Sequence, residues 1–231
     1  MKKEIRFGYF LIIPFLLCFC SGKNEDASFK DIDFSSIDQI LILGNSMTVH
    51  QPKPEIGWEG SWGMAASAPE NDYIHLLATQ FKQWNPSIQL SYFNIAEFER
   101  SYWNYNFSNL DSLTGIAPDL LIINLGENVK ETKAQELNFG YALLQLRNHF
   151  TDTENTETVF IGSFWPKSTI NFQIQKLCET RGYRFVPIAD LFNDKSNIAA
   201  QNYSHEGVGN HPSDQGMKKI AERIISHLKN K

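Results

Sequence analysis

The chain has 231 residues, enough for one domain with a leader. Hydrophobic residues make up 42% and charged residues 20%, a globular balance with enough apolar material for a sizeable core. Of the formal net charge of -5, Lys2, Lys3, Arg6 and Glu4 place +2 in the first twenty residues, so the remainder carries -7; an acidic body repels phosphate backbones and argues against a nucleic-acid partner.

The basic start is followed by an apolar run from Phe7 to Phe19, the length of a signal-peptide core. A transmembrane helix needs roughly 20 apolar residues. The run ends in Leu17-Cys18-Phe19-Cys20-Ser21-Gly22, which resembles the relaxed lipobox of bacterial lipoproteins. That resemblance points to Cys20 as the lipidated residue, with Cys18 the weaker candidate, and to an exported protein anchored in the cell envelope. Residues 1–20 are then the lipoprotein signal peptide and 21–36 a polar tether. Only Cys178 remains in the body, so no internal disulfide can form.

Gln39 to Leu43 is a short apolar run closed by Gly44 and predicts a buried strand. A loop rich in Gly, Trp and Pro follows from Ser46 to Pro69. Asn71-Asp72 is a capping signal, and Ile74, Leu77, Ala78 and Phe81 recur at helical spacing. Further strands are predicted at 88–93, 120–125, 158–164 and 185–188. Between them, Leu137, Tyr141 and Leu144 mark one helix, and Ile170, Ile174, Leu177 and Cys178 another that stops at Gly182. The last helix opens at Ser213 and repeats Met217, Ile220, Ala221, Ile224, Ile225 and Leu228 along one face. Apolar strands alternating with amphipathic helices predict an α/β fold: a flavodoxin-like three-layer sandwich on a five-stranded parallel sheet of order 2-1-3-4-5. Ligands of such sheets sit beyond the carboxyl ends of the strands, at the switch in strand order.

The chemistry-bearing residues fall on that rim. Ser46 follows the first strand in Gly44-Asn45-Ser46, and a serine hydroxyl attacks carbonyls only when a base removes its proton. His211 lies on the loop entering the last helix, in Asn210-His211-Pro212-Ser213-Asp214. Gly63 offers a backbone N–H without an obstructing Cβ, and Asn128, in Gly126-Glu127-Asn128, a side-chain amide.

In this order the four segments resemble the sequence blocks of SGNH (GDSL-type) hydrolases, from the first strand to the last helix. The resemblance makes residues 37–231 the hydrolase domain. It implies Ser46 as nucleophile, His211 as base, an oxyanion hole from the Ser46 and Gly63 N–H groups and the Asn128 side chain, and no metal or cofactor. Three positions depart from the family pattern. Asn45 stands where Asp is common, Val129 follows Asn128 where Asp is common, and Val208 occupies the place of the acid three before the histidine. Glu206 is the nearest acid and the candidate substitute, since Gly207 and Gly209 could fold the loop toward Nδ1 of His211; the competing account is a Ser-His dyad oriented by a backbone carbonyl.

Trp58, Trp62 and Trp165 lie beside these motifs, and exposed aromatic faces can stack on sugar rings. Trp62, Trp165 and Asn45 are expected to touch substrate. The expected function is therefore a serine esterase acting through an acyl-enzyme on Ser46, with O-acetyl groups of carbohydrate as the substrate. An O-acyltransferase with the same nucleophile and a non-catalytic glycan-binding lipoprotein are the alternatives.

Overall fold

The computed structural model describes residues 29–151 and 155–229. The signal segment, Cys18, Cys20 and the first part of the tether lie outside the described residues. Five parallel strands, β1 (Gln39–Gly44), β2 (Gln89–Asn94), β3 (Leu120–Asn124), β4 (Glu157–Ile161) and β5 (Arg184–Val186), form one sheet in the order β2-β1-β3-β4-β5. The α/β class and strand order match the sequence reading.

The period-two alternation of β1 and β3 divides the core. Ile40, Ile42, Leu120 and Ile122 face α1 (Tyr73–Trp84) and α8 (Asp214–Lys229). Leu41, Leu43, Leu121 and Ile123 face the opposite layer. That layer holds α2 (Ala96–Ser101), α3 (Asp111–Thr114), α4 (Glu131–Glu136), α5 (Phe139–Phe150) and α6 (Ser168–Arg181). A short turn, α7 (Glu206–Gly209), precedes α8. These eight strand residues are 1% exposed or less, and each such side chain contributes about 1.5–3 kcal/mol by leaving water.

Two local readings are corrected. The domain begins before residue 37: Ile32 and Phe34, within the segment read as tether, are buried against α1 and α8. The face of α5 is rotated from the one expected, because Phe139, Leu143 and Leu146 are buried while Leu137 and Tyr141 are exposed. The stretch after β2, for which the sequence predicts no element, contains α2, which carries buried Phe98 and Glu99. Gly182 does end α6, in the left-handed region at φ 69°. Among the described residues no helix is long and apolar enough to cross a membrane.

Candidate active site

The loops beyond the carboxyl ends of β1, β2, β3 and β4 meet at one rim, flanking the switch in strand order between β1 and β3. The turn after β1 is tight. Thr48 N–H and Val49 N–H both donate to the Asn45 carbonyl, and Met47 N–H donates to Asn45 Oδ1 at 3.1 Å. Only glycine fits at its entry, since a Cβ on Gly44 would lie 1.9 Å from Thr48 Oγ1. Ser46 sits at the top of this turn, and its own N–H makes no hydrogen bond among the described residues.

His211 comes from the far end of the chain, and its Nε2 lies 2.7 Å from Ser46 Oγ. Its loop is pinned on both sides: Ala199 N–H donates to the His211 carbonyl, and Trp165 Nε1–H donates to the Asn210 carbonyl at 3.1 Å. Trp165 also packs edge-on against the imidazole, with ring centroids 5.3 Å apart. The ring is 6% exposed. Burial lowers its pKa to about 4; the Gly207 and Val208 carbonyls oppose this weakly, and His50 adds to it. The Gly207 carbonyl thus favours the protonated ring, yet Nδ1 is buried without a hydrogen bond of good geometry.

The hydroxyl and the imidazole open into a hollow of about 370 Å³ lined also by His50, Met64, Asn94, Ala96, Glu97 and Arg100. A larger hollow of about 590 Å³, at the other end of the strands between Arg147, Thr156 and Arg184, contains neither group. Behind the rim lies a buried polar cluster. Glu99 Oε2 accepts from Asn128 Nδ2 at 2.6 Å, and Arg100 Nη2 donates to Asn128 Oδ1 at 3.3 Å. The Asn128 amide is thereby held by its oxygen and by one of its two hydrogens, leaving the second hydrogen to donate elsewhere.

No protein-family profile matches the chain, and no curated protein sequence matches it. Solved structures do. A two-domain esterase active on acetylated mannans aligns at TM-score 0.56 and 17% identity, over 83% of this chain and 48% of that one. A Bacteroides ovatus protein described as a GDSL-like lipase aligns at TM-score 0.53 and 18% identity, over 85% of this chain and all of that one. An esterase from Pseudoalteromonas sp. gives 0.51 and 14%, over 83% and 96%. The chain shares the fold of these esterases and of the GDSL-like lipase. It spans about half the length of the mannan esterase it matches.

Within this fold, several sequence assignments change. The Gly63 N–H donates to Asp72 Oδ2 at 3.0 Å and so is not free for an oxyanion. The glycine serves packing, because a Cβ there would lie 2.5 Å from the Met47 carbonyl oxygen. Ala96, past the end of β2, is the small residue that lines the hollow, although its N–H donates to Asn94 Oδ1. Asn45 is fully buried and cannot touch substrate; its Nδ2 donates to Glu127 at 2.7 Å and to Glu99 at 3.3 Å.

Glu206 does not meet His211. It opens α7, is exposed, and makes no side-chain hydrogen bond to the ring. Val208, three residues before His211, is fully buried with Trp58, Met64, Ala65 and Ala199, so an apolar cluster fills the place of an acid. The tryptophans are structural as well. Trp58 is 2% exposed, Trp62 is half-buried with Nε1–H bonded to the Ala66 carbonyl, and neither they nor Trp165 line the hollow. Sequence reasoning missed Glu99, Arg100 and His50. The first two lie on α2, whose six residues are too short for a periodicity signal, and His50 carries no signal beyond its place in a loop.

Proposed function

We propose that this chain is a serine hydrolase of carboxylic esters, and that O-acetyl groups on carbohydrate are its substrates. The contact of 2.7 Å between Ser46 Oγ and His211 Nε2 carries the reading. Ser46 Oγ attacks the ester carbonyl while His211 Nε2 takes its proton. The oxyanion accepts from the Ser46 N–H and the remaining Asn128 Nδ2 hydrogen. The alcohol leaves with the proton from His211. Water then attacks the acyl-enzyme by the same route and releases the acid. With no carboxylate at Nδ1, the pair acts as a dyad.

A small hollow with Asn94, Glu97 and Arg100 on its wall suits a short acyl group on a polar alcohol better than a long-chain lipid. A mannan esterase with this fold supports carbohydrate as that alcohol. The test is acetate release from acetylated mannan oligosaccharides. Wild type should release acetate and Ser46→Ala should not; hydrolysis confined to long-chain triglycerides would contradict the substrate. The unpartnered His211 Nδ1 favours a second reading, a non-catalytic glycan binder, which equal rates for wild type and Ser46→Ala on a reporter ester would establish. We also propose anchorage to the cell envelope through Cys20; Cys20→Ser should move the protein from the membrane to the soluble fraction.

A further inference from the structure

Two glutamates with no part in the proton transfer stand behind the nucleophile. Glu99 is fully buried and Glu127 is 5% exposed. Glu99 accepts from Gly126 N–H at 2.5 Å, Asn128 N–H at 3.3 Å, Asn128 Nδ2 at 2.6 Å and Asn45 Nδ2 at 3.3 Å. Glu127 accepts from Phe164 N–H at 2.8 Å and Asn45 Nδ2 at 2.7 Å. No lysine or arginine among the described residues reaches either carboxylate. Arg100 on α2 stops at Asn128, and Lys167 before α6 donates to the Val129 carbonyl. Tyr73 on α1, hydrogen-bonded to Thr48 and Asn124, is held protonated by burial and, in lesser part, by the charge of Asp72. His211, whose Nε2 meets Ser46, completes the titratable surroundings.

Two buried carboxylates without a cation hold one proton between them. Burial raises Glu99 as well, but its four N–H donors oppose that shift and make it the better anion of the two. Glu127 keeps the proton, with its pKa raised by burial and then by Glu99 to about 7. Asn45 makes the arrangement possible. Its Oδ1 takes the Met47 N–H, while its Nδ2 donates to both carboxylates. An aspartate at 45 has no hydrogen to give and would be a third buried carboxylate. The Gly-Asn-Ser sequence at the nucleophile is thus what the glutamate pair requires.

We infer that Glu99 and Glu127 are positioning residues for the reaction: one shared proton lets the pair clasp the Asn45 amide, and that clasp holds the Ser46 turn and the Asn128 side chain in register. The inference rests on the hydrolase reading for its catalytic consequence.

The test measures kcat, KM and thermal midpoint against pH for wild type, Asn45→Asp, Glu127→Gln and the double variant. Asn45→Asp should lower kcat about 100-fold with KM little changed, because a buried charge then lacks a donor. The double variant should recover about tenfold or more, since the carboxamide introduced by Glu127→Gln supplies the hydrogen that Asn45 gave. Wild-type kcat should fall as pH rises past about 7, and Glu127→Gln should remove that limb. A fully active Asn45→Asp, or a folded double variant with no recovery, overturns the inference. If Asn45→Asp does not fold, retention of the limb in Glu127→Gln overturns it. Should wild type hydrolyse no ester, the hydrolase reading fails, and the midpoints still decide the shared proton: the advantage of wild type over Glu127→Gln must shrink between pH 5 and pH 8.

Discussion

Asn45 Nδ2 donates to Glu127 Oε2 at 2.7 Å from the position next to Ser46, the proposed nucleophile, so the residue before Ser46 is tied to the loop after β3. The turn that presents the hydroxyl and the loop that presents the Asn128 amide therefore form one hydrogen-bonded unit, with Glu99 bridging Asn45 and Asn128. The behaviour of this unit and its histidine can be measured in four ways.

The pH dependence of stability contains two opposing contributions. Burial raises Glu127 from 4.5 to about 7, so the folded state binds an extra proton between these values and stability falls as pH rises through them. Burial lowers His211 from 6.5 to about 4, so the unfolded state binds the extra proton there and stability rises with pH. Each is worth about 3 kcal/mol and they cancel over much of the range. In urea titrations, where wild type is nearly flat, the stability of Glu127→Gln should itself rise from pH 4 to 6.5 and that of His211→Asn should fall from 4.5 to 7. Parallel profiles for all three proteins would contradict both shifts.

The same lowering keeps His211 neutral, and so able to accept a proton, in mildly acidic solution. The acid limb of kcat/KM should have its midpoint near the value of about 4 set by burial, not near 6.5. A midpoint at 6.5 would show that the ring is solvated or paired in solution.

Glu206 is exposed and unattached to the ring. Glu206→Gln should change kcat by about twofold at most, as surface substitutions do. A loss of several orders of magnitude would show that the loop closes to bring Glu206 to Nδ1.

Gly44 admits no side chain beside Thr48. Gly44→Ala should destabilise the protein by about 1–3 kcal/mol and lower kcat, because the turn carrying Ser46 must shift. Unfolding in urea and steady-state rates measure both.

The sheet was legible because its inner strands are continuous apolar runs, such as Leu120 to Ile123, flanked by amphipathic helices with clear stops such as Gly182. The pairing of Ser46 with His211 was legible because strand-end loops converge in this topology. What was hidden depends on tertiary contact. Nothing local distinguishes Gly63, whose N–H meets Asp72, from a glycine with a free N–H. Asn45 has the look of a weakened Asp until Glu99 and Glu127 are placed on either side of it. Glu99 itself lies on a helix of fewer than two turns, where two or three apolar residues cannot declare a face. The tryptophans of the long loop suggest a rim, but large aromatic rings bury readily, and Trp58 does.

Reaction with a fluorophosphonate reports whether the hydroxyl is activated by the imidazole. Intact mass and peptide mapping of wild type should show one adduct, on the peptide containing Ser46, and His211→Ala should react at least about 100-fold more slowly. Labelling at another residue, or equal rates for the two proteins, would contradict a Ser46–His211 dyad.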